Sequence, residues 1–516
     1  MTPLPTAPLP TLLAQRAATD PDRVFLQEVT GAACTYGELE ETVARWMAAL
    51  RQAGVQPGDY VLSMLPTGIA CVAVWLALAR LGAVEVPVNT AYHGAVLASA
   101  AEDSTARVAV VDARWLDRFD QADSPALRKL TVLTGDGSQP GPFGESAFNG
   151  APVAAGTEPT PLAEHDVATV VFTSGTTGRS KGVLIPWRQL RESARWCIPL
   201  DDAGPDDHWY VPLPLFHVSG KLSVHAAALT GARVILRESF STSSFWADVR
   251  AFGVTTTLLA GGAARYLESQ PARDDDRDNP LRNVFVAPFP VDPEAFAARF
   301  GVRLTTAFNM TELSCPIVSG WELGPAGSCG RPRPGASCRI VDADDRELPD
   351  GEVGELIVRT DAPWETMLGY LGAPEATVRA WRNLWFHTGD RCWRDAAGNF
   401  YFVDRGSDAI RRRGENVSSI DVEAALSGHP DVAESAVIGV PSEWGEHDIK
   451  AFVVPRPGAA ADLADIAAYA ERTLPRFMVP RYLVLVGELP KTPTNRVQKA
   501  RLRDWAGDAP AYDRGR

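Results

Sequence analysis

Apolar positions in the first 130 residues change their spacing at short, regular intervals. Residues 8–20 have the spacing of an amphipathic helix, and residues 24–29 alternate as a strand does. A second helix is predicted from Thr35 to about Ala53, with Glu38 at capping-box spacing. Further predicted strands and helices follow in turn at residues 61–65, 69–81, 84–88, 107–111 and 130–133. This alternation predicts layered α/β subdomains with mostly parallel sheets.

The same alternation returns between residues 209 and 308. We predict strands at residues 209–213, 233–236, 255–259, 283–287 and 303–308, and helices at 219–230, 245–252 and 293–300. From residue 337 short strands and turns predict a β-rich subdomain, and from residue 408 a compact α+β piece follows. The predicted organisation is a large domain over residues 1–404, a hinge at 405–407, a small mobile domain at 408–504 and a polar tail at 505–516.

Length and composition narrow the class of protein. A chain of 516 residues is too long for one core, and a net charge of −14 argues against a nucleic-acid partner. The seven cysteines are scattered and odd in number, which favours a reducing compartment over a disulfide framework. The N-terminus lacks the positive region of a signal peptide, and the apolar run at 70–81 is too short to span a membrane. We therefore expect a cytoplasmic protein.

One stretch, residues 170–186, combines strand-like flanks with a polar loop. Its glycines let backbone N–H groups approach an anion, its hydroxyls can donate to phosphate oxygens, and its lysine adds a positive charge. The candidate phosphate ligands are Thr173, Ser174, Gly175, Thr176, Thr177, Gly178 and Lys181. It is not a Walker loop, because Pro186 follows a β-like run and no helix opens at the lysine. A plain surface turn is the alternative interpretation.

The stretch resembles the phosphate loop of the AMP-forming adenylate enzymes, which include acyl-CoA synthetases, peptide-synthetase adenylation domains and luciferases. Phe308-Asn-Met-Thr-Glu312 resembles a second motif of that family. The resemblance implies that ATP and Mg²⁺ bind here. Phe308, Asn309 and Met310 would lie at the nucleotide, Thr311 at the phosphate, and Thr176 and Glu312 at the metal, a donor set that Mg²⁺ prefers. A polar pair at a strand end is the alternative.

Two further segments resemble family motifs. Asp390, in Trp385-Phe-His-Thr-Gly-Asp390, would accept from the ribose hydroxyls, and Arg405 would reinforce it; a surface ion pair is the alternative. Ser407 falls at the hinge about which the small domain would rotate between two half-reactions. Arg413, Gly414 and Glu415 would line a CoA passage, although the basic triplet at 411–413 could equally be a solvated face.

Within the family the chain is most similar to the crotonobetaine/carnitine-CoA ligase-like branch, through residues 327–335, 380–383 and 475–481. His217 also fits acyl-CoA synthetases, because amino-acid adenylation domains usually carry an Asp there to meet the substrate amine. The predicted substrate pocket comprises His217, Lys221, Pro288, Phe289 and Asn309.

Three segments depart from the family pattern. Arg496 stands where the family has its catalytic lysine, and its planar guanidinium differs from a point charge although it keeps the positive sign. Lys499 and Lys491 are the alternatives for that role, with Arg496 preferred. Ser407 replaces the usual hinge Asp or Lys, and Pro288 and Phe289 replace small residues beside the adenylate, which suggests a small or differently placed substrate.

Three functions follow as hypotheses. The first is an AMP-forming ligase that adenylates a small carboxylic acid and passes it to CoA. The second is a diazotase of secondary metabolism, which would adenylate nitrite and transfer it to an aromatic amine without CoA. The third is a nucleotide-binding protein that has lost catalysis. All three hypotheses imply that the protein binds ATP and has no membrane or nucleic-acid partner, and a homodimer would be unsurprising.

Overall fold

The fold is described from a computed structural model of the chain. The residues it describes are 4–120, 124–134, 160–173, 180–268, 270–287, 292–322, 324–405, 409–412, 415–443, 446–456, 458–490, 497, 499–505 and 512–515.

The helices are α1 Leu9–Thr19, α2 Tyr36–Gln52, α3 Ile69–Arg80, α4 Gly94–Ser104, α5 Leu116–Asp120, α6 Pro125–Arg128, α7 Trp187–Cys197, α8 Val218–Thr230, α9 Thr242–Ala251, α10 Gly261–Glu268, α11 Pro293–Phe300, α12 Pro374–Ala380, α13 Ser419–Ser427, α14 Leu463–Thr473 and α15 Lys499–Trp505. Short 3₁₀ helices occupy Ala113–Trp115 and Arg382–Leu384.

The strands are β1 Val24–Glu28, β2 Ala33–Thr35, β3 Tyr60–Met64, β4 Val84–Pro87, β5 Val108–Val111, β6 Thr131–Thr134, β7 Val167–Thr173, β8 Lys181–Pro186, β9 His208–Val211, β10 Arg233–Leu236, β11 Thr256–Ala260, β12 Asn283–Ala287, β13 Arg303–Thr305, β14 Ala307–Phe308, β15 Ile317–Val318, β16 Ser328–Pro332, β17 Ala336–Val341, β18 Gly354–Thr360, β19 Gly369–Tyr370, β20 Phe386–Arg394, β21 Phe400–Arg405, β22 Ala409–Arg412, β23 Glu415–Ser418, β24 Val432–Pro441, β25 His447–Pro455, β26 Tyr482–Leu485 and β27 Tyr512–Asp513.

Two sheets of parallel strands form the layered part of the large domain. One runs in the order β13-β12-β11-β9-β10-β1-β2, parallel except for β2, and the other runs β4-β3-β5-β6, wholly parallel. Helix α3, buried along almost its whole length, belongs to the main core, as a helix apolar on all sides should. The predicted α/β class of the large domain is confirmed.

Local sequence signals set several helix ends. Thr35 and Glu38 form the predicted capping box, with the Thr35 N–H donating to Glu38 at 2.8 Å and the Glu38 N–H donating to Thr35 Oγ1 at 3.2 Å. The Glu28 carboxylate accepts the N–H of Ile69 at 2.9 Å, at the first turn of α3. A negative group there is favourable, because the first N–H groups of a helix have no partner within it.

An antiparallel sheet forms the predicted β-rich part, in the order β14-β15-β16-β21-β20-β18-β17. A separate three-stranded sheet, β19-β8-β7, contains the hairpin that flanks the predicted phosphate loop. Beyond residue 408, β24-β25-β26-β27 carries a core of its own, centred on residues such as Val437, Ile449 and Leu483. That core is also contacted by Val96 of α4, so the small unit packs against the large domain.

The predicted strand at 303–308 is wrong as one element. The chain breaks at Thr306, so that β13 ends one sheet and β14 begins another. Periodicity could not show this, because strands of both sheets are apolar. The sequence predictions also omitted six helices of the large domain, namely α4, α5, α6, α7, α10 and α12. Among the described residues, no helix is long and apolar enough to cross a membrane.

Candidate active site

The hairpin of β7 and β8 confirms the predicted strand–loop–strand in its described part. The two strands are antiparallel, and Thr173 pairs with Lys181 at the open end. Ser180, the residue before Lys181, donates to the Asp421 carboxylate of α13 at 2.9 Å. The tip of the loop, with Ser174, Gly175, Thr176, Thr177 and Gly178, lies outside the described residues. The structure therefore fixes the entrance of the predicted phosphate loop, and its ligands stay a prediction.

Lys181 is the cationic residue that the hairpin places at this entrance. Its ammonium lies over the ring of Tyr370, 5.1 Å from the ring centre. Burial lowers the pKa of Lys181, while the Glu312 carboxylate opposes that shift. Both charged groups lie against Tyr370, since its ring is under the Lys181 ammonium and its hydroxyl donates to Glu312.

Glu312 is buried, with 6% of its surface exposed, and is held at both ends. Its carboxylate accepts the hydroxyl of Tyr370 at 3.0 Å, and its backbone carbonyl accepts the N–H of Met367 at 2.9 Å. A buried carboxylate beside a phosphate loop suits Mg²⁺, which binds through one or two carboxylates together with phosphate oxygens and water. Groups of three or more acidic, His or Cys ligands are absent from the described part of the chain. A single buried carboxylate fits a metal that arrives with ATP.

The loop that carries Glu312 is shaped by residues on both sides. Gln189 of α7, completely buried, donates to the carbonyls of Thr311 at 2.8 Å and of Leu313 at 3.0 Å. Asn309 Oδ1 accepts the N–H of Cys315 at 2.8 Å, closing the turn. The predicted roles of Asn309 at the nucleotide and in the substrate pocket stay predictions; the observed role of its side-chain oxygen is in the turn.

Phe308 and Asp390 lie on strands of the β-rich sheet. Phe308 is buried at the end of β14, and the half-buried Met310 follows it against the main core. Asp390, on β20, is 3% exposed and stands opposite Arg405 of β21 in the ladder register. The backbones of the predicted ribose pair are thus neighbours, while the side chain of Arg405 lies outside the described part.

His217 and Glu415 join the large and small units. The His217 ring, at the start of α8, lies 2.8 Å from the Glu415 carboxylate at the start of β23. Burial lowers the pKa of His217, but the charge of Glu415 and its hydrogen bond to the ring together outweigh burial and raise the pKa overall. The predicted acid-site histidine and the predicted CoA-passage glutamate therefore meet, whereas Arg413 and Gly414 lie outside the described residues.

Two predicted lysines lie in other environments. Lys221 is fully buried, paired with the equally buried Glu85 and 3.9 Å from the centre of the Trp75 ring. Lys499 donates to Ser419 at 2.7 Å and pairs with Glu423 at 2.7 Å, both on α13 of the small unit. The ammonium groups of Lys221 and Lys499 thus contact residues other than Tyr370. Pocket and catalytic roles for these lysines stay predictions.

Five further predicted residues lie outside the described residues. They are Pro288, Phe289, Ser407, Lys491 and Arg496. Two residues at the site were missed by sequence reasoning, namely Tyr370 and Gln189. Gln189 had a signal, since Trp187, Leu190, Ala194 and Cys197 follow helical spacing after Pro186. Tyr370 had none, because its partners are distant in sequence.

The layered α/β domain, the β7–β8 hairpin and the second, smaller unit form the architecture that the resemblance to adenylate-forming enzymes implies. Residues 13–371 match the family described as AMP-binding enzyme, and residues 421–496 match the AMP-binding enzyme C-terminal domain. The chain belongs to the AMP-binding enzyme family. The predicted resemblance and enzyme class are confirmed.

Comparison with individual proteins gives a similar result. The chain is 33% identical to the crotonobetaine/carnitine–CoA ligase of Citrobacter koseri, over 91% of this chain and 93% of that protein. The amide bond synthetase McbA from Marinactinospora thermotolerans is 26% identical with a TM-score of 0.79, covering 97% of this chain and 100% of that one.

The fold is also that of o-succinylbenzoate–CoA synthetase from Bacillus subtilis, at 24% identity. A double mutant bound with its product analogue OSB-NCoA gives a TM-score of 0.84, covering 96% of this chain and 98% of that one. The structure of the same enzyme in complex with AMP gives a TM-score of 0.69 and covers 98% of both chains. None of these relatives has a name that points to nitrite, so the diazotase hypothesis gains no support from them.

Proposed function

We propose that this protein is an AMP-forming carboxylate–CoA ligase acting on a small acid. The observation that carries the proposal is the contact of His217 with Glu415. This contact places Glu415, in the loop expected to line a CoA passage, beside His217, at the start of the helix expected to hold the acid. The 33% identity to a CoA ligase over 91% of the chain supports the same acceptor.

The first half-reaction would join the acid to AMP. A carboxylate oxygen forms a bond to the α-phosphorus of ATP, and the bond from that phosphorus to the bridging oxygen breaks, releasing pyrophosphate. Ser174, Thr176, Thr177 and Lys181 would hold the phosphates, and Asp390 with Arg405 would hold the ribose. Glu312, with Thr176, would hold Mg²⁺, which neutralises phosphate charge when bound.

Arg496 would stabilise the adenylating arrangement in place of the family lysine. Its guanidinium can donate to the acid oxygen and to the α-phosphate at once, as a planar fork allows. Lys499 is the weaker candidate, because its ammonium is paired with Glu423 in the small unit.

The second half-reaction would transfer the acyl group to CoA. The thiol sulfur forms a bond to the acyl carbon, AMP leaves with the electron pair of the acyl–oxygen bond, and the thiol proton passes to a base or to water. A rotation of the small unit about residues 405–407 would exchange the two catalytic arrangements. Arg413, Gly414 and Glu415 would then line the path of the thiol.

The test is pyrophosphate release from Mg²⁺-ATP with a panel of small carboxylic acids, including crotonobetaine and carnitine, with and without CoA. We expect release driven by one acid class and an acyl-CoA product. Release with an acid and an amine but no CoA would move the function to amide synthesis. Release driven by nitrite with an aminobenzoate, indifferent to CoA, would overturn the proposal in favour of diazotisation, and tight ATP binding without any release would indicate a non-catalytic protein.

A further inference from the structure

Tyr370 touches both charged groups at the entrance of the phosphate loop. Its hydroxyl donates to Glu312 at 3.0 Å, and the face of its ring lies under the Lys181 ammonium at 5.1 Å. These are two different parts of one side chain, and they reach groups of opposite sign. A single residue thus contacts both the proposed metal carboxylate and the proposed phosphate lysine.

The position of Tyr370 is fixed by its backbone. Strand β19 pairs with β8 so that Tyr370 stands opposite Val183, and the Leu371 N–H donates to the Gly182 carbonyl at 2.8 Å. The Tyr370 N–H in turn donates to Thr377 Oγ1 at 2.9 Å. The ring is therefore anchored to the same strand that carries Lys181.

Gly182 of β8 is closely packed. A Cβ at that position would lie 2.8 Å from a methyl group of Val170 on β7 and 3.4 Å from Leu371, the residue after β19. A side chain there would have to displace Val170, and it would also press on the segment that carries Tyr370.

We propose that Tyr370 is a positioning residue that sets the distance between the Lys181 ammonium and the Glu312 carboxylate. At that distance Glu312 can bind the Mg²⁺ of Mg²⁺-ATP while Lys181 contacts its phosphates. The inference rests on the roles given to Lys181 and Glu312 in the proposed function. Replacing a residue that orients a metal ligand through a hydrogen bond typically lowers metal affinity by about 10- to 100-fold. The two contacts of Tyr370 should therefore affect two different measurements.

Two variants separate the contacts. Tyr370→Phe removes the hydroxyl and keeps the ring, and we expect the half-saturating Mg²⁺ concentration to rise about tenfold with an unchanged KM for ATP at saturating metal. Tyr370→Leu removes both contacts, and we expect it also to raise the KM for ATP about fivefold. The matched control is Tyr401→Phe, which removes a hydroxyl bond of 2.9 Å to Asp395 and should change neither value.

Binding supplies a second readout that does not depend on turnover. Mn²⁺ binding in the presence of α,β-methylene-ATP, followed by electron paramagnetic resonance, should weaken in Tyr370→Phe and not in Tyr401→Phe. Unchanged metal binding and metal dependence in Tyr370→Phe would overturn the inference, as would equal changes of both parameters in Tyr370→Phe and Tyr370→Leu.

Glu312→Gln distinguishes this inference from the proposed function. Loss of Mn²⁺ binding in Glu312→Gln, with none in Tyr370→Phe, would overturn the inference and leave the proposed function standing. Weakened Mn²⁺ binding in Tyr370→Phe, in a protein that releases pyrophosphate with no acid tested, would support the inference and overturn the ligase function.

Discussion

The large domain contains two lysine–glutamate arrangements that differ in one respect. Glu85 and Lys221 are in direct contact, both fully buried, with the ammonium also against Trp75 and the carboxylate accepting from Ser63 at 2.8 Å. Lys181 and Glu312 are instead joined through the ring and hydroxyl of Tyr370. The first arrangement neutralises its own charges inside the core, whereas the second holds opposite charges apart at the predicted nucleotide site.

Under the proposed function, the same residue types serve stability in one arrangement and ligand binding in the other. A buried pair needs close geometry and further hydrogen bonds to offset the loss of water around each charge. A pair spaced by an aromatic ring gives up part of that Coulombic stabilisation. Its charges can instead meet a ligand that carries both signs, as Mg²⁺-ATP does.

The largest expected effect is on stability, at the direct pair. Lys221→Met should lower the free energy of unfolding of the large domain by about 3–5 kcal/mol, because it leaves Glu85 buried and unpaired. The measurement is the urea transition followed by far-ultraviolet circular dichroism.

A double variant and a surface pair are the controls for that result. Glu85→Met combined with Lys221→Met should recover most of the loss, since no charge is then left buried. Arg114→Met breaks surface pairs with Asp112 (2.9 Å) and Glu238 (3.1 Å) and should cost less than about 1 kcal/mol. If Lys221→Met lowered the free energy of unfolding by no more than Arg114→Met does, the buried pair would be no more important for stability than a surface pair, and the contrast between the two arrangements would be lost.

The next effect is on activity, at the spaced pair. Glu312→Gln should reduce the pyrophosphate-release rate about 100-fold, because the neutral amide no longer binds the metal. The amide oxygen can still accept the Tyr370 hydroxyl, so the unfolding free energy should change by less than about 1 kcal/mol. Steady-state rates across a Mg²⁺ titration, alongside the same urea transition, provide the check. A large stability loss in Glu312→Gln would mean that both arrangements are structural.

The smallest expected effect is on the docking of the small unit. His217 and Glu415 are in direct contact, as Glu85 and Lys221 are, but their contact joins two units. Because contact with Glu415 raises the pKa of His217, the docked arrangement is fully stabilised below the ordinary histidine pKa and loses that stabilisation as pH rises through the raised value. The ring is about one third exposed, at 35%, so water screens the pair.

We expect the docked fraction to fall about twofold between about pH 6 and about pH 9. Small-angle X-ray scattering of the whole chain measures it through the radius of gyration. Glu415→Gln should flatten the profile, since the amide carries no charge to favour the imidazolium. An identical profile in Glu415→Gln would assign the pH dependence to other groups.

The sequence by itself determined the class of the fold and the place where the nucleotide site is predicted. The capping box at Thr35, the alternating blocks and the hairpin around the Gly/Ser/Thr loop are signals between near neighbours, so they can be read without the fold. The motif ending at Glu312 was recognised for the same reason.

The tertiary structure alone decided which charges meet. Glu85 and Lys221 are 136 positions apart, and Glu312 and Tyr370 are 58 apart, so no local pattern links the members of either pair. It also decided that residues 303–308 divide between two sheets, since both sheets accept the same apolar side chains. Burial and partner choice depend on how distant segments pack, and this is why the contacts of Tyr370 with Glu312 and Lys181 follow from the pairing of β19 with β8 and from no local sequence pattern.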